Sequence, residues 1–367
     1  MAVRSRTRGK GAVFTVEMLP AEFGDCIWTE YGEPAHVHRV LIDCGTAKAY
    51  PALRKRILAI PEAERRLDLF VVSHIDVDHI GGALKLLDEA KALKLRIDDL
   101  WFNGWAQLEE ATDLLGPIQG EQLTERIVKM RLPWNKLFNG EAICVAQKGK
   151  LPAKTLSGGM KLTLLSPTPQ TLTDLKPIWE KAVKDAGLVP GAAARREKPE
   201  PAEDELGETL DVDALAASKF KSDAAEPNGS SIAFIGEFDG RAVLYGADAH
   251  VPVLLESLKR VNSGRRTRLD AFKLAHHGSK NNTSRDLMEA VDCRRFLVST
   301  NGKQFRHPNG EAIARVIRSA TPKPILVFNY RTGFNAMWNS DRLRARYGYQ
   351  TAYPDTSANG ITVPLGA

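Results

Sequence analysis

Four potential metal ligands lie within six consecutive residues, shortly after a mostly apolar run, and this cluster restricts the possible folds more than any other feature. The run is Leu67–Val72, and the ligands are His74, Asp76, Asp78 and His79. Imidazole nitrogens and carboxylate oxygens are donors that Zn²⁺, Mn²⁺ and Fe²⁺ accept, and a short loop can direct alternate side chains towards one point. The alternative, a polar turn in which Asp78 caps the next helix, leaves the two histidines unexplained. The cluster therefore predicts a metal-binding loop.

The residues after this cluster predict an amphipathic helix. Apolar side chains recur there at intervals of three and four residues, which places them on one face. They are Ala83, Leu86, Leu87, Ala90 and Leu93. Gly81 and Gly82, just before them, would let another backbone segment approach closely. The cluster thus lies on a loop between a buried strand and a helix that packs on a sheet.

Short β-rich runs alternate with helical patterns in two parts of the chain, which is typical of an α/β layer architecture. In the first part the predicted strands are Val13–Leu19, Cys26–Tyr31, Val37–Asp43 and Leu67–Ser73. In the second part they are Ser231–Phe238, Ala242–Tyr245, Ala271–Ala275, Arg295–Ser299 and Pro324–Asn329. Asp239-Gly240 separates the first two of these, and such a pair predicts a tight hairpin. We therefore predict two similar halves, residues 12–167 and 228–340.

Residues 181–227, between the halves, are rich in Ala, Pro, Glu, Asp and Lys and cannot bury much apolar surface. We interpret them as a flexible or partly helical insert with one helix near Val212–Phe220, and a lid over the active site is the alternative. Residues 341–367 are predicted to form a C-terminal extension that packs on the domain.

Cysteine usage and hydropathy bear on the cellular location. The four cysteines form no CxxC pair and lack the density of a disulfide scaffold, so we expect reduced thiols and a cytoplasmic location. We find no apolar run long enough for an export signal or a membrane span, so we expect no membrane association. The formal net charge of +6 favours an anionic partner, although many ordinary enzymes share such a balance.

The pattern HxDxDHIGG after an apolar strand resembles the HxHxDH signature of metallo-β-lactamase-fold hydrolases. Other landmarks of that superfamily are matched in the expected order by Leu41–Gly45, Tyr245–Asp248 and Ala275–Ser279. The resemblance extends from Val13 to Tyr330. It implies an α/β fold of the αββα sandwich type, in which two mixed β-sheets pack face to face with helices outside, formed by a single domain over residues 12–340.

Within this superfamily, the chain is most similar to the hydrolase domain of ComEC-type DNA-uptake proteins. The similarity lies in Leu19–Cys26, in the His-His-Gly-Ser motif that begins at His276, and in Phe305–Pro308. We expect a stand-alone, soluble version of that domain, because we find no membrane channel attached to it.

The resemblance implies two divalent metal ions, zinc or manganese with magnesium as a further possibility, held by His74, Asp76, Asp78, His79, Asp248 and His277. The first two would hold one ion, the next two and His277 the other, and Asp248 would bridge both. Two such ions, about 3.5–4 Å apart, acidify a shared water, and the resulting hydroxide attacks the substrate. Asp76 stands where relatives carry a histidine, and a carboxylate favours a harder ion than zinc. We prefer His277 to His276 as the ligand because it precedes Gly278, as the terminal ligand of relatives does.

Residues near these ligands are assigned supporting roles. Catalytic roles fall to Asp78, His276 and His307, the last as a general acid that protonates a leaving oxygen. Substrate contacts fall to Asn228, Ser279 and Arg306, and orientation of the ligands falls to Asp25, Asp43 and His250. Simpler interpretations stay open: turn residues at Asn228 and Asp43, a stacked loop residue at His307 and a helix start at His250.

One expected ligand is missing, because no histidine lies between His79 and His250, where many relatives supply a third ligand to the first metal. Asn228 lies in the corresponding stretch and could offer an amide oxygen. Trp101 and Trp105 could stack on a nucleobase if exposed, but packing in the core is the preferred interpretation.

The leading functional hypothesis is a metal-dependent phosphodiesterase, specifically a nuclease that acts on DNA or RNA through a metal-activated hydroxide. Hydrolysis of a small phosphodiester, such as a cyclic nucleotide or a choline phosphodiester, is the nearest alternative. A catalytically weak nucleic-acid-binding module is an alternative of a different class. No motif predicts the oligomeric state.

Overall fold

The computed structural model describes residues 11–108, 118–185, 210–355 and 359–366. Its strands are, in chain order, β1 (Val13–Met18), β2 (Ile27–Glu33), β3 (His36–Ile42), β4 (Arg66–Leu67), β5 (Leu69–Val71), β6 (Arg96–Ile97), β7 (Leu100–Trp101), β8 (Ala153–Thr155), β9 (Lys161–Ser166), β10 (Ala233–Phe238), β11 (Arg241–Tyr245), β12 (Thr267–Leu269), β13 (Ala271–Lys273), β14 (Val291–Cys293), β15 (Arg295–Val298), β16 (Ile325–Phe328), β17 (Gln350–Ala352) and β18 (Ile361–Pro364).

The helices of the described residues connect these strands. They are α1 (Tyr50–Leu58), α2 (Val77–Glu89), α3 (Ile118–Met130), α4 (Pro169–Asp185), α5 (Val212–Ala217), α6 (Glu226–Gly229), α7 (Val251–Val261), α8 (Arg285–Glu289), α9 (Gly310–Ser319) and α10 (Asp341–Tyr347). Short 3₁₀ turns lie at Glu62–Glu64, Trp105–Leu108, Lys136–Phe138, Ser157–Gly159, Ala275–Gly278 and Ala336–Asn339.

The strands form two large mixed sheets. The first has the order β18-β1-β2-β3-β5-β7, with β5 and β7 parallel to β3 and the other neighbours antiparallel. The second has the order β17-β16-β15-β13-β11-β10-β9-β8, and its first five strands are parallel. Two small parallel pairs, β4 with β6 and β12 with β14, accompany them.

Apolar side chains on both faces of the sheets produce a four-layer packing. In β5, Leu69 and Val71 belong to the core between the sheets, whereas Phe70 faces the layer that contains α2. In β13, Ala271 lies in the core between the sheets and Phe272 lies against α7 and α9. A strand that is buried on both faces has apolar side chains at consecutive positions. This explains why the sequences of β5 and β13 are largely apolar. The predicted αββα sandwich of two mixed sheets is confirmed.

One predicted strand is divided in two. The run Leu67–Ser73 forms β4 and β5, which belong to different sheets, with Asp68 between them. The carboxylate of Asp68 accepts a hydrogen bond from the backbone N–H of Arg39 at 2.9 Å, and the backbone N–H of Asp68 donates to the carbonyl of Arg39 at 2.9 Å. This buried aspartate ties the run to β3 at the point where the pairing changes.

The segments predicted as insert and extension contain regular elements. Helix α4 continues to Asp185, and residues 186–209 of the predicted insert lie outside the described residues. Helix α5 falls within the stretch predicted to be helical, and its Val212 is fully buried in the same core as α9. Near the C-terminus, β17 pairs with β16, and β18 pairs with β1. In the part of the chain that is described, none of the helices combines the length and apolarity needed to cross a bilayer.

Candidate metal centre

The first half of the chain presents its polar residues from the loop after β5 and from the start of α2. Because α2 begins at Val77, Asp78 and His79 lie in its first turn, while His74 and Asp76 lie before it. Asp76 occupies the N-cap position, although its side chain makes no capping hydrogen bond. The interpretation of Asp78 as a helix cap is therefore wrong, because Asp78 lies inside the helix.

Glycines let neighbouring backbone lie directly against this helix start. A Cβ atom at Gly24 would lie 1.8 Å from the carbonyl oxygen of Asp78. The backbone N–H of Asp25 donates to that oxygen at 3.2 Å. At Gly82 a Cβ atom would lie 2.2 Å from the carbonyl oxygen of Cys44, which agrees with the close approach predicted for the glycine pair. The turn before β2 thus determines where Asp78 lies.

The second half contributes residues from the loops after β11 and β13. Asp248 follows β11, and His276 and His277 follow β13. The backbone of Ala247, His276 and His277 is left-handed, with φ of 44°, 48° and 54°. Non-glycine residues adopt this conformation only where the surrounding structure enforces it, and such residues cluster at functional sites.

One set of donors surrounds the Nε2 atom of His277. This atom lies 3.3 Å from Nε2 of His79, 3.3 Å from Oδ2 of Asp78 and 3.7 Å from Oδ2 of Asp248. The Nε2 atom of His79 lies 3.5 Å from Oδ1 of Asp248. Ligand atoms at about 2.1 Å from a tetrahedral metal lie about 3.4 Å from one another. The observed separations therefore fit the edges of a metal coordination sphere.

A second set of donors also lies around Asp248. Its Oδ2 atom is 3.9 Å from Nε2 of His74 and 3.7 Å from Nε2 of His276. The Nε2 atom of His74 is also 3.6 Å from Oδ2 of Asp76, whose side chain is 41% exposed. Within the described residues, the buried atoms His74 Nε2 and Asp248 Oδ1 have no hydrogen-bond partner. Buried polar atoms without partners are costly, and a bound cation would satisfy both.

Hydrogen bonds behind the rings determine which nitrogen faces this centre. Asp43 accepts from Nδ1 of His79 at 2.8 Å and from the hydroxyl of Ser73 at 2.6 Å. That hydroxyl in turn accepts from Nδ1 of His74 at 3.0 Å. Nδ1 of His277 donates to the carbonyl of Ser299 at 2.9 Å. Each Nδ1 carries the proton of the neutral ring, so each Nε2 presents a lone pair to the centre.

Asp25 is buried close to these donors, but it lies at the Nδ1 side of the His277 ring, whereas Asp78 lies at the Nε2 side. One donor atom from each of Asp25, His79, Asp248 and His277 falls within 4.8 Å of the others. However, Oδ1 of Asp25 lies 3.3 Å from Nδ1 of His277, on the side of the ring that faces away from Asp78. Its Oδ2 pairs with Nζ of Lys273 at 2.6 Å. Asp25 therefore orients His277 rather than facing the other donors.

Burial and the charges of neighbouring side chains have opposite effects on the pKa values of Asp248, His79 and His277. Burial opposes ionisation of Asp248, but His79 keeps the pKa of this carboxyl well below its usual range. Burial also opposes protonation of the rings, yet Asp248 raises the pKa of His79 well above its usual value and that of His277 to about 9. Without metal, Asp248 thus favours the protonated form of both rings. Metal binding would displace those protons, as is usual for imidazole ligands.

His307 lies beside the centre in a different electrostatic environment. Its ring contacts that of His276 edge to face, with 5.3 Å between the centroids. Burial, together with the charges of His276 and His277, lowers the pKa of His307 to about 3. The same surroundings thus favour the neutral form of this ring, and the role of general acid stays a prediction. Arg306, next to it, is exposed and has a φ of 54°.

The other predicted substrate contacts and supporting residues lie around this centre. Asn228 is buried and donates from Nδ2 to Asp223 at 2.7 Å, while its Oδ1 has no partner among the residues described. Ser279 is buried, and its hydroxyl accepts the N–H of Asn281 at 3.2 Å. His250 precedes α7 at the N-cap position, and its Nε2 lies 2.9 Å from the carbonyl oxygen of Ala225. His250 thus supports the segment that carries Asn228.

Three residues of this centre were missed by sequence reasoning. Lys273 had a detectable signal, because a charged residue in the middle of an apolar strand requires a buried partner. Asp223 and Asn282 had none, since both lie in polar stretches that are ordinary loops by composition. Their positions next to His276 come from the tertiary structure.

The two tryptophans of the 101–105 segment pack inward. Trp101 is fully buried and donates from its indole nitrogen to Asp99 at 3.0 Å. Trp105 is partly buried, with its ring 6.2 Å from that of Trp179. The preferred prediction of core packing is confirmed for Trp101.

The chain has detectable relatives at the level of its family. A family profile described as the metallo-beta-lactamase superfamily matches residues 38–300, which include both donor sets. No curated protein matches the chain. Among solved structures, it is similar to the metallo-beta-lactamase fold protein YhfI from Bacillus subtilis, with 12% sequence identity over 96% of this chain and 100% of that chain and a TM-score of 0.44.

Proposed function

This chain belongs to the metallo-beta-lactamase superfamily, and on that premise we propose that it is a metal-dependent phosphodiesterase that cleaves DNA or RNA. Family membership indicates a metal-dependent hydrolase, and the buried His and Asp residues form a candidate metal site. The observation that carries the proposal is the position of Asp248, whose carboxylate lies within 3.9 Å of Nε2 atoms from four histidines, His74, His79, His276 and His277.

The two donor sets can hold two divalent ions. We assign Asp78, His79 and His277 to one ion, His74 and Asp76 to the other, and Asp248 to both. Zinc and manganese suit this mixture of imidazole and carboxylate, and magnesium would be favoured by the carboxylates alone. Two ions bound there would supply the Lewis acidity that lowers the pKa of a water and neutralises charge on a phosphate.

The protein's own side chains around the centre suit a charged diester. Arg306, an exposed residue that precedes His307, carries a guanidinium, a group that pairs with phosphate oxygens. The neutral ring of His307 can offer a hydrogen bond to a phosphate oxygen. Asp43 and the carbonyl of Ser299 hold His79 and His277 with their Nε2 atoms facing inward. These contacts would bind a phosphate oxygen and orient the rings of His79 and His277.

An exposed aromatic residue on the same loop supports a nucleic acid as substrate. Phe305 is 49% exposed, and its ring lies 5.7 Å from that of Phe23 in an edge-to-face contact. The rings of Phe305 and His307 have centroids 6.1 Å apart, so this aromatic surface adjoins the centre. Nucleobases stack on such surfaces, which a polymer substrate would bring close to its scissile phosphate. The net charge of +6 also favours binding of a polyanion such as a nucleic acid.

The test is cleavage by the purified chain after loading with Mn²⁺, Zn²⁺ or Mg²⁺. Substrates are single-stranded DNA, double-stranded DNA, RNA, bis-p-nitrophenyl phosphate and a β-lactam. We expect metal-dependent cleavage of a polymer that Asp78→Asn and His79→Gln each abolish. Asp88→Asn is the matched control, because Asp88 pairs with Arg126 on the surface.

Two other results would redirect the proposal. Cleavage of bis-p-nitrophenyl phosphate without cleavage of any polymer would favour the small-phosphodiester alternative. Salt-dependent nucleic-acid binding that survives both substitutions, with no bound metal and no turnover, would favour the binding-module alternative.

A further inference from the structure

Asp223 forms the centre of a hydrogen-bond network beside the metal centre, on a segment predicted to be an insert. Its Oδ2 accepts hydrogen bonds from Nδ2 of Asn228 at 2.7 Å and from Nδ2 of Asn282 at 3.0 Å. The same oxygen lies 3.3 Å from Nδ1 of His276. Its Oδ1 accepts the N–H of Ala225 at 3.0 Å. The carboxylate is therefore held from several sides, and its side chain is only 10% exposed.

The amide orientation of Asn282 is determined by its surroundings. Its Nδ2 lies near three oxygens: Oδ2 of Asp223 at 3.0 Å and the carbonyl oxygens of Asp248 and Ala249 at 3.2 and 3.4 Å. Only an amide nitrogen can donate to all of them, so the amide oxygen points the other way. That oxygen lies 3.0 Å from Nδ1 of His276.

Two acceptors, Asn282 Oδ1 and Asp223 Oδ2, thus face one nitrogen of His276. This nitrogen must carry a proton, because neither oxygen can donate. The amide nitrogen of Asn228 could donate its second hydrogen to this nitrogen, but it is 3.4 Å away, whereas the two acceptors lie closer, at 3.0 and 3.3 Å. In the neutral ring, Nε2 is then left with a lone pair, and it lies 3.7 Å from Oδ2 of Asp248.

We propose that Asp223 is a positioning residue that holds His276 so that its Nε2 lone pair completes the metal position of His74. This inference rests on the proposed dinuclear function. It also supplies a donor in place of the missing histidine between His79 and His250, because Nε2 of His276 lies 3.7 Å from Oδ2 of Asp248, the oxygen that lies 3.9 Å from Nε2 of His74. Carboxylates that bind the outer nitrogen of a ligating histidine orient its ring in this way.

The test measures metal binding by the metal-free full-length chain, without substrate, using calorimetric titration with Mn²⁺. We expect two sites in the unaltered chain. Asp223→Ala should weaken one of them by about 10–100-fold and leave the other unchanged. Asp223→Asn, which keeps the volume and an acceptor oxygen but removes the charge, should weaken the same site less and serves if the alanine variant fails to fold.

Two further variants distinguish positioning from general damage. Asp270→Ala is the matched control, because Asp270 has a side-chain exposure of 13%, close to that of Asp223, and pairs with Arg241. It should retain both sites. His74→Gln should remove the affected site, and adding Asp223→Ala to it should cause no further loss. A long-range ¹H–¹⁵N spectrum of the chain loaded with Zn²⁺ should show the Nδ1–H form of His276 in the unaltered chain and a mixture of forms in Asp223→Ala.

The outcomes separate this inference from the proposed function. If the unaltered chain binds no metal, the dinuclear function fails, and this inference fails with it. If the chain binds two ions and both Asp223 variants bind them equally well, only the role of Asp223 fails. Equal weakening of both sites would also overturn it, because a purely structural role predicts that result.

Discussion

Lys273 and Asp25 form a buried ion pair directly behind His277. Their side chains are 1% and 2% exposed, and Nζ lies 2.6 Å from Oδ2. The ammonium also donates to the carbonyl of Leu274 at 3.0 Å. Burial raises the pKa of Asp25, but Lys273 and His277 outweigh this and bring it well below the usual range. The lysine and the histidine together therefore keep this buried carboxylate charged.

We predict that Lys273→Met destabilises the metal-free protein strongly. The substitution leaves a buried carboxylate unpaired, and breaking such a pair costs about 3–5 kcal/mol. Urea unfolding monitored by fluorescence measures the loss. The double variant Lys273→Met with Asp25→Leu should recover most of it, since no unpaired charge then remains. An unchanged urea midpoint for the single variant would show that the pair is not needed.

At the scale of elements, α2 and the turn before β2 meet without space for a side chain. Gly24 lies in that turn, and a Cβ atom there would overlap the carbonyl oxygen of Asp78 at 1.8 Å. Backbone atoms of Asp78, rather than a flexible side chain, occupy this space. A side chain at position 24 would therefore force either α2 or the turn to move. Because Asp78 and His79 lie in the first turn of α2, such a movement shifts two predicted ligands together.

We predict that Gly24→Ala lowers kcat/KM by about 100-fold or more, as displacements of about 1 Å at an active site can do. Steady-state cleavage of the substrate identified above measures the effect. Gly333→Ala is the control, because a Cβ atom there meets nothing within 4 Å and its φ is not in the left-handed range. Wild-type turnover by Gly24→Ala would mean that the contact can relax at no functional cost.

At the scale of the whole molecule, the metal centre joins the two halves of the sandwich. His74, Asp78 and His79 come from the first sheet's loop and helix, while Asp248 and His277 follow strands of the second sheet. Ions bound between them would cross-link the halves in the folded state only. Ligands that bind only the folded state stabilise it by about 4 kcal/mol when present at 1,000 times Kd.

We predict that chelation lowers the melting temperature by several degrees and that added metal restores it. Differential scanning calorimetry with EDTA, followed by back-titration with Mn²⁺ or Zn²⁺, measures the shift. His79→Gln should respond much less, because it loses a ligand from one set. A melting temperature that does not depend on metal in the unaltered chain would contradict a centre that bridges the halves.

Features that depend on neighbouring residues were predicted correctly from the sequence. The Asp239-Gly240 turn joins β10 to β11 with φ of 47° and 73°, as a tight hairpin of this type requires. The helix after the metal loop and the layered α/β class follow from apolar periodicity, which a few residues suffice to define. The residue types of the metal loop already indicated metal chemistry, because donor atoms are a property of the side chains themselves.

Features that depend on distant residues became visible only in the tertiary structure. His79 and His277 are 198 positions apart, yet their Nε2 atoms lie 3.3 Å from each other. The contacts of Asp223 and the low pKa of His307 likewise depend on groups from other elements. Periodicity and local propensity act over a few residues, whereas burial and charge act through space. The ligand types could therefore be read along the chain, but their grouping and protonation had to come from the fold.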